Sequence, residues 1–167
     1  MWSRPNLLLL FSLVLASVGT VSAAISVGDK FPSLTTLVEK GGVPASDGRV
    51  TLVDFWASWC APCEASFPAL ARIHSDYAPK GLIIVAVSVD EKPALFAAFV
   101  KKRQPPFTTV RDAGQALVRI VQVPVMPTSY LIGRDGRVRF VHRGFHGADS
   151  EKELRHHIDA VLAEPIN

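Results

Sequence analysis

Cysteine is nearly absent from this chain: two of its 167 residues, Cys60 and Cys63, carry every thiol it has. That excludes a scaffold stapled by several disulfides, and it excludes a zinc site made of four thiolates. Basic runs are missing as well. Lysine and arginine number 18 against 15 acidic residues, a formal net charge of +3, and the longest basic stretch is Lys101-Lys102-Arg103. Three cations in a row suit the last turn of a helix, where they complement its dipole. They are too few to track a phosphate backbone, so no nucleic-acid partner is expected. No internal repeat is present, which excludes a solenoid. Nor is there a convincing membrane span: Leu7 to Val18 is apolar but short, and Ser12, Ser17, Gly19 and Thr20 dilute it.

That apolar run is preceded by Arg4 and followed by Val21-Ser22-Ala23, small residues of the kind that flank a cleavage point. The pattern is that of a secretory signal peptide over 1–23, cleaved after Ala23, with an uncleaved anchor as the rival reading. No cysteine follows the run, which excludes lipid attachment there. Contact with a membrane is then expected only through this segment, if it is retained. Residues 24–167 are expected to form one domain that works in the periplasm or otherwise outside the cytoplasm.

The residues that carry chemistry lie between Val50 and Pro68. Val50 to Phe55 reads as a buried strand, followed by an aromatic turn and a helix that begins at Cys60. A helix start leaves N–H groups unpaired and carries partial positive charge, so it favours a thiolate over a thiol. There a cysteine that titrates near about 8.5 when free can fall to roughly 3.5–7.5, which makes Cys60 a nucleophile at neutral pH. Cys63, at i+3, is within reach to close a small ring. Such a short loop removes little chain entropy, so the pair is read as reactive rather than structural. Thiol–disulfide exchange is the expected chemistry.

The remaining pattern is α/β. Ala24 to Arg49 is rich in turn formers and reads as an irregular lead-in with one or two edge strands. Helix one is expected from Cys60 to Tyr77, with Phe67, Leu70, Ile73 and Tyr77 inward and a kink at Pro68. Leu82 to Val89 is a second buried strand, so the two make a βαβ unit and a parallel pair. Helix two opens near Pro93, with Leu95, Phe96 and Phe99 inward. A short strand at Phe107 to Val110 and a short helix at Gln115 to Val121 follow. Ser129 to Ile132, the turn Gly133-Arg134-Asp135-Gly136 and Val138 to His142 form a hairpin. Ser150-Glu151-Lys152-Glu153 reads as a capping box for a last helix that buries Leu154, Ile158, Val161 and Leu162.

Trp59-Cys60-Ala61-Pro62-Cys63 after Leu-Val-Asp-Phe-Trp-Ala, with Met126-Pro127-Thr128 downstream, resembles the thioredoxin-like superfamily. The closer resemblance is to its exported TlpA/ResA-like branch, the redoxin domain of thiol:disulfide oxidoreductases. The lead-in from Gly28 to Pro32 resembles that branch's Gly-x-x-x-Pro. This resemblance implies a central mixed β-sheet flanked by helices, an N-terminal extension, and an insertion, Phe107 to Val121, before the cis-proline strand. It implies that Cys60 is the exposed attacking thiol and Cys63 the buried resolving one. Asp54 matches the buried acid that takes a proton from the resolving thiol. Pro127 matches the loop proline held cis, which turns the Met126 backbone toward an extended substrate. Trp59, Ala61, Pro62 and Met126 would form the substrate-facing rim. The implied partners are disulfides of other proteins and a membrane thiol transporter as electron donor; no cofactor and no metal are implied.

Two departures stand out. Many exported members carry a glutamate three residues after the second cysteine, where this chain has Ser66, with Glu64 shifted. Thioredoxins also place a lysine near the buried acid on the second strand, which here offers only apolar residues and Ser88. Other chemistries fit less well. A peroxiredoxin needs Pro-x-x-x-Thr/Ser-x-x-Cys upstream of the attacking cysteine, and that motif is missing. A thioredoxin-like copper chaperone uses CxxxC and a distant histidine; here the pair is one residue short, with His142 or His146 as the imaginable third ligand. The histidines, His156 and His157 above all, are read as surface residues.

Overall fold

A computed structural model describes residues 24–34, 43–44, 46 and 48–165. The expected signal segment and most of Leu34 to Val38 lie outside these residues. β1 (Thr51–Trp56) is buried at every position and leads into α1 (Ala61–Tyr77), which ends in a single 3₁₀ turn, Ala78–Lys80. β2 (Ile83–Ser88), α2 (Pro93–Arg103), β3 (Thr108–Arg111), α3 (Ala116–Val121), β4 (Thr128–Ile132), β5 (Val138–Arg143) and α4 (Ala148–Leu162) follow. The five strands form one sheet in the order β3-β2-β1-β4-β5. β1, β2 and β3 are parallel, while β4 runs antiparallel to both β1 and β5. Central β1 and β2 must be apolar on both sides because each is covered on both faces.

Residues alternate faces along a strand, so Asp54 and Trp56 share one side of β1 and Val53 and Phe55 the other. On the first side Trp56 packs against Phe67 of α1 and Phe99 of α2. Leu70 of α1 and Leu154 of α4 close over Asp54. On the second side Phe55, Tyr130 and Phe31 cluster beneath the lead-in, which joins α3 through Ile25 N–H to the Val121 carbonyl. α1 continues past Pro68, which sits on its exposed side.

Several expectations are corrected. Among the described residues the lead-in contributes one isolated bridge, Lys30 to Arg137, rather than an edge strand; its turn formers keep it irregular. Leu95 is 45% exposed, since α2 buries Phe99 and turns Leu95 toward a groove. The last helix begins at Ala148 with Gly147 before it, a turn earlier than the capping box places it. Ser150 instead accepts the His146 N–H at 2.8 Å. Glu151 pairs with Arg72 and Arg155.

Candidate active site

The site lies where β1 ends. Cys60 precedes the first turn of α1 in extended conformation, and its Sγ accepts the Cys63 N–H at 3.2 Å. Its backbone carbonyl accepts the Glu64 N–H at 3.0 Å. Cys60 and Cys63 are joined as a disulfide. Cys63 has no exposed surface and Cys60 keeps 7%. Cys60 is therefore not the openly exposed side chain the resemblance implies; its bonded partner and the start of α1 cover one side of it. It remains the residue of the pair that keeps some surface in solvent.

The rim is open. Trp59 is 69% exposed, Ala61 and Pro62 are exposed, and Met126 is half-buried. The Met126–Pro127 peptide bond is cis. Trp59 and Met126 line a groove of about 320 Å³ together with Val89, Leu95, Gln115 and Val118. The last three come from segments that are distant in sequence, and only the strand order brings them beside Trp59 and Met126. A larger cavity, about 480 Å³, lies at the opposite end of the sheet, where β1 starts and β4 ends.

The turn that carries Trp59 is anchored by Asp90. Its carboxylate accepts the Ser58 N–H at 3.1 Å, the Ser58 hydroxyl at 2.9 Å and the Ser88 hydroxyl at 2.8 Å. Asp90 was not among the residues singled out from sequence, because its partner lies 32 positions away and meets it only through the β1–β2 pairing.

Asp54 is fully enclosed. Ser129 Oγ donates to Asp54 Oδ1 at 2.6 Å, and Oδ2 has no hydrogen-bond partner among the described residues. Burial pushes the carboxyl from its ordinary 3.8 up to about 7, against the smaller opposing pull of the Ser129 bond. Beside Asp54 lies a cavity of about 20 Å³, also lined by Ser66, Pro127, Ser129, His142 and Leu154. Ser66, at the family's glutamate position, is buried and donates to the Cys63 carbonyl at 2.8 Å.

His142 and His157 are not simple surface residues. His142 Nε2 and His157 Nδ1 are 3.1 Å apart, and His157 stacks on Phe140 at 3.8 Å. With Glu153 they are the one group among the described residues whose ligand-type atoms gather, all within 4.8 Å. The imidazoles are hydrogen-bonded to each other, and the Glu153 carboxylate is mostly solvated. Neither cysteine belongs to such a group.

Comparison with known proteins adds the lineage. The Redoxin family profile matches residues 26–158. The thiol-disulfide oxidoreductase ResA of Bacillus thuringiensis subsp. konkukian is 30% identical over 122 residues, covering 71% of this chain and 70% of that protein. ResA of Geobacillus thermodenitrificans is 26% identical over 161 residues, covering 93% and 91%. A Chlorobium tepidum protein assigned to the thiol:disulfide interchange protein DsbE has a crystal structure that superposes with a TM-score of 0.78. It is 37% identical, with 84% of this chain and all of that chain covered.

Proposed function

The chain belongs to the redoxin family and is a thiol:disulfide oxidoreductase, and from that premise we propose that it reduces disulfides of other proteins outside the cytoplasm through Cys60 and Cys63. The observation that carries this reading is the Cys60–Cys63 pair at the start of α1, under an exposed apolar rim. In the reduced protein the Cys60 thiolate bonds to one sulfur of a substrate disulfide, and the other substrate sulfur leaves as a thiolate. Cys63 then gives its proton to Asp54, and its sulfur bonds to Cys60. The bond between Cys60 and the substrate breaks, which releases the substrate reduced and leaves Cys60–Cys63 oxidised. Trp59, Ala61, Pro62 and Met126 receive an extended segment, whose backbone pairs with that of Met126 before the cis bond. A membrane thiol transporter returns the two electrons. Residues 1–23 direct export and are removed, or stay as an anchor; among the described residues no helix is long and apolar enough to cross a membrane.

The test is trapping. Cys63→Ser leaves Cys60 able to attack but unable to be released, so mixed disulfides with exported proteins accumulate in cells. Cys60→Ser accumulates none and loses insulin reduction in vitro. A Cys63→Ser protein that captures nothing, from a wild type that fails to reduce insulin, would overturn the proposal.

A further inference from the structure

Asp54 needs a way to pass on its proton. Its carboxyl is sealed from solvent, and whenever it holds a proton it must shed it before it can take one from Cys63. Thioredoxins have a lysine nearby on the second strand; here the residue paired with Asp54 across β1 and β2 is Ala86. On its other side the pairing runs differently. Asp54 faces Ser129 across β1 and β4, and Ser129 faces His142 across β4 and β5. Paired residues on neighbouring strands point to the same face, with Cβ atoms about 4.5–5.5 Å apart. Asp54, Ser129 and His142 therefore form one polar row across three strands, under α1 and α4.

Three further observations lie along that row. Ser129 is already bonded to one carboxyl oxygen of Asp54, and the other oxygen is unpaired among the described residues. The cavity shared by Asp54, Ser129 and His142 is about 20 Å³, and a space of roughly 10–15 Å³ suffices for one water molecule. Beyond it, His142 meets His157 at 3.1 Å, and His157 belongs to a solvent-facing side of α4. The row thus runs from a sealed acid to the half-buried His157, beside a cavity that Leu70, Ile73 and Leu154 also line.

We propose that His142, with His157 behind it, is the group through which Asp54 exchanges its proton with solvent. The proposal rests on the reading of Asp54 as the acceptor of the Cys63 proton. The neutral carboxyl gives its proton, through the cavity, to the His142 imidazole and returns to a carboxylate. His142 becomes an imidazolium and hands a proton to His157, which releases one to bulk solvent; no electrons move. The ionisable groups that face His142 are Asp54 from β1, Glu153 and His157 from α4, and Glu151, which lines the cavity; α1 contributes Ser66. Burial and the neighbouring His157 hold His142 below the ordinary histidine range, so at neutral pH it is uncharged and carries the proton only in passing. His142 touches no reacting sulfur, so it is a positioning and relay residue rather than a catalytic one.

The experiment equilibrates the reduced protein at pH 6, where the Asp54 carboxyl holds a proton, and mixes it by stopped flow with substrate disulfide at pH 8, in dilute non-transferring buffer and with imidazole added; release in that turnover requires Asp54 to shed its proton first. His142→Gln keeps a polar side chain but cannot carry a proton. It is expected to slow release about tenfold in dilute buffer, a modest share of what a proton-transfer group contributes. Added imidazole restores the rate, which repair of a merely structural defect would not do. Asp54→Asn with His142→Gln is expected to be no slower than Asp54→Asn alone, because the two act in series. His157→Gln, at the half-buried outer end of the row, gives a milder version of the same rescue and serves if His142→Gln folds poorly. Wild-type release by His142→Gln in dilute buffer, or slow release that imidazole leaves unchanged, overturns the relay. Those outcomes leave the trapping of mixed disulfides by Cys63→Ser untouched, so failure of the relay is distinguishable from failure of the exchange reading.

Discussion

Asp54 couples the fold to pH. It is 1% exposed, and its carboxyl lies near about 7 because burial disfavours the ionised form. Between the unfolded value near 3.8 and about 7, the folded chain holds a proton that the unfolded chain has released. The stability this confers is complete below the unfolded value and is lost as pH rises through about 7. The difference between the two values corresponds to about 4 kcal/mol at most. His142 and His157 are both pushed down by burial, so they act in the opposite sense: acidification below the ordinary histidine range destabilises the fold. Subtracting one protein from another isolates the carboxyl. Urea midpoints of wild type and Asp54→Asn, both oxidised, are expected to diverge between pH 5 and pH 8, with the variant gaining on the wild type as pH rises. Parallel midpoints would place the Asp54 carboxyl in its ordinary range and remove it as a proton acceptor at neutral pH.

The turn between β1 and α1 is held at one point by Asp90, which takes three donors from Ser58 and Ser88. Removing that acceptor leaves buried donors unpaired, so Asp90→Ala is expected to cost about 2–4 kcal/mol in denaturant unfolding. Exchange should slow as well, because Trp59 and Cys60 follow this turn directly. Unaltered stability and rate would show that the turn is fixed by α1 alone. Asp90 also marks where sequence stops being legible. The CxxC, the acid six residues before it, and Met126-Pro127 are local patterns, and the periodicity of apolar residues set every strand and helix from β1 onward. What the chain hides is pairing at a distance: Asp90 with Ser58, Ser129 between Asp54 and His142, His142 with His157. Each depends on strand register or on the seating of α4, which no spacing along the chain encodes. Leu95 misleads because three apolar residues crowd one stretch of α2, and only packing decides that Phe99 goes in and Leu95 lines the groove. Ser150 misleads similarly; its hydroxyl takes a backbone partner from the preceding loop instead of capping the helix.

Redox state and stability of the whole molecule are linked, and the link reports the direction of the reaction. In the cycle that joins folded and unfolded, oxidised and reduced forms, whichever redox form is more stable to unfolding is the one the fold favours. Closing a ring as short as Cys60 to Cys63 removes chain entropy worth about 2 kcal/mol, in favour of the oxidised form. Asp54 acts in the same sense: above about pH 7 its carboxyl is charged, and among the described residues no lysine or arginine lines its cavity to offset it. Reduced cysteines that ionise there are opposed. The start of α1 acts the other way, since its unpaired N–H groups stabilise a Cys60 thiolate. For a reductase the first two effects must exceed the third. Urea unfolding at pH 7.5 is therefore expected to give an oxidised form more stable than the reduced form by about 2 kcal/mol or more, a bias toward reduction of roughly 40 mV relative to the unfolded pair. A reduced form that outlasts the oxidised one would mean that the thiolate dominates, and the protein would then deliver disulfides to its partners instead of removing them.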